Sequence, residues 1–343
     1  MLLRAQSFDS STIIADFNSR CASSPVNCAI KQPGAFGGNY LSQDGQYYQM
    51  AFVQGFPAIR AGTTGYLGLR YRPFNSQGRP FSVNILDGSG RGHVGIAITQ
   101  AGQPSIALLN NNDPSTVLFN GTIGQVPAGW SFVEFGWSIS ATATGTVEMR
   151  VNGQVLFKST TVVTQGVGSA DTSSLGYYFF GGGDAQDIYV ADSTGPAPGN
   201  TFLGDLRVLE MAPTGPGAST AFAPTGAATN WQVAAQALPA PATIFNASSV
   251  VGAADLYVAA PLPTGLGVIF GVQVTGMLSK ADAGARVATM SIKSGAVGAA
   301  GASHALQTTP VVYNDVFAVD PATGAAFTAA GVNTLQFGPT IVS

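Results

Sequence analysis

The sequence predicts an all-β protein of jelly-roll or β-sandwich type, and three observations carry that expectation. Apolar and polar residues alternate at period two along most of the 343 residues, while helical periodicity of any length is almost absent. Strand-sized runs are separated by loops rich in Gly, Pro and Asn. An Asn-Gly pair also sits between two such runs, which is the signature of a tight hairpin.

Taken in chain order, Leu67, Leu69 and Tyr71 alternate with Gly68, Arg70 and Arg72, placing the apolar three on one face and the arginines on the other. Phe81, Val83 and Ile85 repeat the pattern, as do Val94, Ile96 and Ile98. Val133, Phe135, Trp137 and Ile139 alternate with Glu134, Gly136, Ser138 and Ser140. Each run reads as a half-buried antiparallel strand. Val147, Met149 and Val151 lead into Asn152-Gly153, after which Gln154 to Phe157 resumes, so a type I′ turn joins two strands there. The Gly181 to Gly183 run follows the aromatic strand Tyr177 to Phe180 and reads as a turn, because it lacks the Lys and helix of a phosphate loop.

Residues 212–229 are dense in Pro, Gly, Ala and Thr and are expected to be a semi-rigid linker that forms neither strand nor helix. This divides the chain into a first domain over 1–211 and a smaller β-sandwich over 230–343. Strands are expected in the second domain at Leu256–Ala259, Val268–Val274, Val287–Lys293, Val311–Phe317 and Leu335–Val342, with one helical turn at Phe327–Val332.

Composition narrows the function classes. Charged residues make up 9% of the chain, against roughly a quarter in ordinary soluble proteins. Such a surface suits a protein packed against neighbours, because Lys and Glu are costly to desolvate at an interface core. A net charge of −3 without a basic cluster argues against nucleic acid. No apolar run is long enough to cross a bilayer, and the first residues lack the apolar core of a signal peptide. Cys21 and Cys28 are expected as reduced thiols, and with no His nearby they cannot complete a zinc site.

Catalytic chemistry finds little footing. Glycoside hydrolysis needs two carboxylates flanking the scissile bond. The three glutamates, Glu134, Glu148 and Glu210, fall on different strands, and Glu134 and Glu148 are expected on outward faces as solvated or interface carboxylates, with Arg150 a partner for an ion pair if it lies across from them. His93 and His304 have no nucleophile motif beside them and read as surface or interface histidines. Asp184, Asp187, Asp192, Asn200 and Asp205 have the oxygens that Ca²⁺ takes, but not the spacing of a calcium loop, and read as turn and loop caps. No metal or cofactor is therefore expected. Tyr47, Tyr48, Tyr66, Tyr71, Tyr177 and Tyr178 are candidates for stacking on a sugar, and the sequence singles out none of them.

Two resemblances add to this reading. The stretch Trp130 to Phe157, a Trp-led strand, a small-residue turn and a strand ending in Val-Asn-Gly-Gln-Val, resembles the central strands of concanavalin-like jelly rolls of the laminin-G or glucanase type. The segment Asp187 to Asp192, its Ser-, Gly- and Pro-rich loop, and Asn200 to Val208 resemble a motif of structural proteins of tailed bacteriophages. Gln6 to Asp9, Gly271 to Val274 with Lys280 to Arg286, and Asp320 to Thr328 with Val332 to Gly338 are similar to the same family. The resemblance implies a non-enzymatic virion component of tail-fibre or minor structural type, with Asp187, Asp192, Phe202, Gly204 and Asp205 carrying the structural motif. It further implies a place in the virion after synthesis in a bacterial host cytoplasm, partners among virion proteins and copies of itself, and contact with host surface polysaccharide. A capsid decoration protein and a lectin-like adhesin are the alternatives.

Overall fold

A computed structural model of the chain describes residues 1–7, 28–32, 34–36, 40–43, 49–51, 59–73, 81–99, 101–110, 113–120, 124–169, 173, 176–180, 183–236 and 241–343. The chain is all-β and forms two compact units, Met1–Leu209 and Glu210–Ser343. Cys21, Tyr47 and Tyr48 lie outside the described residues.

The first unit contains β1 (Leu2–Gln6), β2 (Cys28–Lys31), β3 (Tyr40–Gln43), β4 (Gln49–Ala51), β5 (Gly65–Arg72), β6 (Phe81–Leu86) and β7 (Gly92–Ile98). It continues with β8 (Pro104–Asn110), β9 (Asp113–Asn120), β10 (Ser131–Ser138), β11 (Gly145–Val151), β12 (Gln154–Val162), β13 (Gly176–Phe180) and β14 (Gly183–Asp192). An eight-stranded sheet runs β12-β11-β10-β5-β14-β3-β2 with β1 on β14, and a six-stranded sheet runs β4-β13-β6-β7-β8-β9. All named pairings are antiparallel, as in a jelly-roll sandwich.

The alternation read in the sequence forms the layer between the sheets. Leu67, Leu69 and Tyr71 of β5, Val133, Phe135 and Trp137 of β10, and Val83 and Ile85 of β6 are buried in one cluster. Asn152 (φ 49°) and Gly153 (φ 78°) form the turn between β11 and β12, as the Asn-Gly pair predicts.

The second unit contains β15 (Pro213–Thr220), β16 (Ala223–Thr225), α1 (Asn230–Ala234), β17 (Phe245–Ala247), β18 (Asp255–Ala259), β19 (Val272–Leu278) and β20 (Val287–Ser294). It ends with β21 (Val297–Ala300), β22 (His304–Ala305), β23 (Val311–Phe317), α2 (Ala329–Asn333) and β24 (Gln336–Ile341). The main sheet runs β15-β18-β24-β20-β21 with β22 on β20, and β16-β17 and β19-β23 form two-stranded sheets. Val274, Met290, Ile292, Phe317, Phe327 and Leu335 make its core.

The segment 212–229 departs from expectation. It is not a linker: residues 213–220 pair with β18 and residues 223–225 pair with β17. The physical reason is position. β15 is an edge strand, so Pro213 and Pro216 lose no ladder bond on their free side, and shifts in register absorb the misfit. Its alternation is also hard to see in sequence, because the inward positions Gly215, Gly217 and Ser219 carry almost no apolar bulk.

Candidate functional site

The distinctive site lies on the outer face of the eight-stranded sheet, the face turned away from the six-stranded one. After β14 the chain runs through residues 193–209 without regular strand and is fastened over that face as a strap. Two glycines make the room. A Cβ on Gly68 would lie 2.1 Å from the Tyr189 ring, and one on Gly136 would lie 2.6 Å from the Phe202 ring. The aromatic rings therefore pack directly against backbone.

A buried polar network holds the strap down. The Tyr189 hydroxyl donates to Glu134 Oε1 at 2.6 Å, and the Gly204 N–H donates to the same oxygen at 2.8 Å. The Leu203 N–H donates to the Tyr189 hydroxyl at 3.1 Å. Gly204 has φ +76°, which glycine adopts without strain. Arg70 reaches Asp187 Oδ2 at 3.2 Å, the Leu206 carbonyl at 3.1 Å and the Asp205 carboxylate. The second oxygen of Asp187 accepts the Val208 N–H at 3.0 Å. Asp187 has φ +50° and lies within the register shift of β14 against β5, so a bulge turns its carboxylate toward the strap.

Four of the five motif residues, Asp187, Phe202, Gly204 and Asp205, thus fasten one structure. Asp192 stands at its entry, where its Oδ1 accepts from the Thr194 N–H and hydroxyl. Burial pushes the Asp192 carboxyl up, but the Thr194 hydroxyl and the α-amino group of Met1 outweigh it and hold the group below the usual range. Asp184 pairs with Arg72 at 2.6 Å. Asp184, Asp187, Asp192 and Asp205 spend oxygens on protein donors, Asn200 donates its amide to the Gly195 carbonyl, and among the described residues no three His, Cys, Asp or Glu side chains cluster as metal ligands.

Two expectations are corrected. Glu134 is on the outward face, as its alternation requires, yet it is only 1% exposed because the strap covers it. Its partner is Tyr189, and Arg150, which lies directly across from it on β11, turns instead to Glu148 at 2.6 Å. His93 is fully buried rather than a surface residue. Its Nδ1 accepts the Gly166 N–H at 3.3 Å and its Nε2 faces the Ser173 carbonyl at 3.0 Å, which assigns the ring proton to Nε2. His304, in the second unit, pairs with Asp315 at 2.9 Å, away from any nucleophile motif.

Beside the strap lies a shallow cleft of about 170 Å³, lined by Tyr66, Thr146, Glu148, Lys158, Thr160 and Phe202 among others. Tyr66 and Phe202 meet edge to face at 4.9 Å, and the Arg150 guanidinium lies over the Phe202 ring, 3.9 Å from its centre. Glu148 holds Arg150 with one oxygen and Lys158 with the other, at 3.0 Å. Burial pushes the Glu148 carboxyl up, but hydrogen bonds from Lys158 and Arg150 and their charges outweigh it and keep it below the ordinary value, so it is ionised at neutral pH.

Among the described residues the sugar-stacking candidate that lines this cleft is Tyr66; Tyr71 is in the core, and Tyr177 and Tyr178 belong to β13. Lys158, Thr146 and Thr160 were not among the residues the sequence singled out. A signal was present in Gly68 and Gly136, small residues on the outward positions of adjacent strands, which mark a trough for something lying across them.

No family model matches the chain, and no curated protein matches it in sequence. Solved structures with a similar course of strands include an endo-β-1,4-glucuronan lyase from the fungus Trichoderma reesei, at 16% identity and TM-score 0.36 over 52% of this chain and 90% of that one. The galectin LEC-6 of Caenorhabditis elegans has 14% identity and TM-score 0.30 over 44% of this chain and 95% of its own. The carbohydrate-binding module CBM66 from Bacillus subtilis has 8% identity and TM-score 0.31 over 50% of this chain and 98% of its own. The likeness is one of β-sandwich architecture.

Proposed function

We propose that the chain is a non-enzymatic structural component of a tailed phage particle, tail- or baseplate-associated, that packs against virion neighbours and copies of itself and contacts polysaccharide on the host surface. The observation that carries this reading is the use made of the motif residues. Asp187, Gly204 and Asp205 each spend their polar groups on fastening the strap, so the segment that resembles virion proteins is a structural device. The carboxylates argue in the same direction. Glu134 is consumed by Tyr189 and Gly204, and Glu148 by Arg150 and Lys158, which leaves neither placed as a free acid or base for hydrolysis.

The sparse charge supports close packing against neighbours, because an interface core is depleted in Lys, Glu and Asp. Contacts repeated over many copies would convert weak single sites into firm attachment. The test is the copy number and position of the protein on purified particles, by quantitative mass spectrometry and antibody labelling in electron microscopy. A few to tens of copies on the tail is the expected result. Hundreds over the head would make it a decoration protein, and absence from particles would overturn the reading.

A further inference from the structure

We infer that the cleft beside Phe202 binds one uncharged pyranose ring of a glycan. The inference deepens the attachment reading by naming a site and a ligand class, and it rests on that reading only for the source of the glycan. Its two walls differ in chemistry. On one side Tyr66, half-buried and braced by Phe202, offers aromatic surface against which the C–H face of a sugar packs. On the other, Glu148 and Lys158 stand joined at 3.0 Å.

A carboxylate beside an ammonium is complementary to a vicinal diol. One sugar hydroxyl donates to the Glu148 carboxylate while its neighbour accepts from Lys158 Nζ. Thr160, exposed on the rim, adds a hydroxyl that both donates and accepts. The charges select a neutral ligand. A uronate carboxylate that approached Lys158 Nζ would meet the Glu148 carboxylate held 3.0 Å from it, whereas a neutral hydroxyl meets no such repulsion, and Arg150 is already held between Glu148 and the Phe202 ring.

The site is also set before any ligand arrives. Glu148 is gripped from two sides, and Phe202 is fixed by the strap, by Gly136 beneath it and by Arg150. Little ordering cost remains at binding. A single ring in an open cleft gives millimolar affinity, which suits attachment through many copies.

The experiment is saturation-transfer NMR on the full chain with the methyl glycosides of glucose, galactose, mannose and N-acetylglucosamine, and with methyl glucuronide as the acidic comparison. At least one neutral glycoside is expected to show transfer and a millimolar Kd. Tyr66→Ala should weaken it about tenfold. Lys158→Gln, at a side chain 55% exposed and so of small consequence for folding, should weaken it several-fold. Absence of transfer from every neutral glycoside overturns the inference. So does binding unchanged in Lys158→Gln and in a folded Tyr66→Ala, or glucuronide outbinding all the neutral sugars. Binding by a protein absent from particles would sink the virion reading and leave this one standing; the reverse result would do the opposite.

Discussion

Replacing Glu134 by Ala removes the acceptor on which the strap depends, and its cost follows from the geometry. Glu134 is 1% exposed and receives the Tyr189 hydroxyl and the Gly204 N–H on one oxygen. A hydrogen bond to a charged group contributes about 1.5–3 kcal/mol, and a buried donor left without acceptor costs about 1–3 kcal/mol. Losing both partners at once should destabilise the first unit by about 3–5 kcal/mol. Glu134→Gln keeps an acceptor oxygen of the same reach and should cost about 1–2 kcal/mol. Because Glu134 and Tyr189 form one network, Glu134→Ala combined with Tyr189→Phe should cost less than the two changes summed, with coupling of about 1–2 kcal/mol. Urea unfolding followed by tryptophan fluorescence measures this. Two of the three tryptophans, Trp130 and Trp137, belong to the first unit, so a Trp231→Phe background isolates that transition. A Glu134→Ala variant within about 0.5 kcal/mol of its parent would refute the claim that this carboxylate fastens the strap.

Gly68→Ala should cost about 2–3 kcal/mol in the same assay, because the new methyl meets the buried Tyr189 ring at 2.1 Å and neither can yield without lifting the strap. Asp255→Ala should destabilise the second unit by about 3 kcal/mol, read from Trp231, since it takes the acceptor from the Tyr257 hydroxyl and from one hydrogen of the Asn230 amide, whose other bond runs to the Phe222 carbonyl. At alkaline pH, burial raises the Tyr71 and Tyr189 hydroxyls above the usual tyrosine range, with Asp184 and Glu134 respectively adding to it. The folded chain then keeps protons that the unfolded chain releases, so stability is complete below about pH 10 and falls above it. Urea midpoints between pH 9 and 11.5 should fall accordingly, and Tyr71→Phe should flatten the slope. On the acid side Asp87 is pushed up by burial but held lower, on balance, by Ser169, Arg91 and Ser89, and Glu148 is likewise lowered, so their stabilisation is present above about pH 4 and lost as pH falls through their folded values. Asp87→Asn should lessen that acid loss.

The sandwich was legible in the sequence because burial on one face of a strand leaves a period-two trace. Val133, Phe135 and Trp137 advertise it, and Asn152-Gly153 advertises the turn. The strap left no such trace. Glu134 and Arg70 sit at outward positions, where charge ordinarily means solvent, and segments distant in sequence cover them, the strap in both cases and Phe36 as well over Arg70. Non-local covering of this kind has no periodicity to read. The edge strand β15 escaped for another reason: its inward side chains are too small to mark a face, and its prolines look like breakers until the strand's free edge is known. The cleft was half legible, since Tyr66 was a candidate, whereas its partner Lys158 lies on β12, two strands beyond β10 in the sheet, and becomes a neighbour only through the sheet's order.

The strap also defines a load path. Residues 210–212 alone separate its end from β15, so tension drawn through the second unit enters the first at Leu209. The bonds it meets first are Asp187 to Val208 and Arg70 to Leu206, with Glu134 to Gly204 behind them. These are rooted in β14, β5 and β10, adjacent strands within the interior of the sheet order and not at its margins. Pulling therefore loads several cross-ties together at the middle of the sandwich, where a strand cannot be peeled from a free edge one bond at a time. The strap behaves as a riveted joint, which gives way only when several bonds break together.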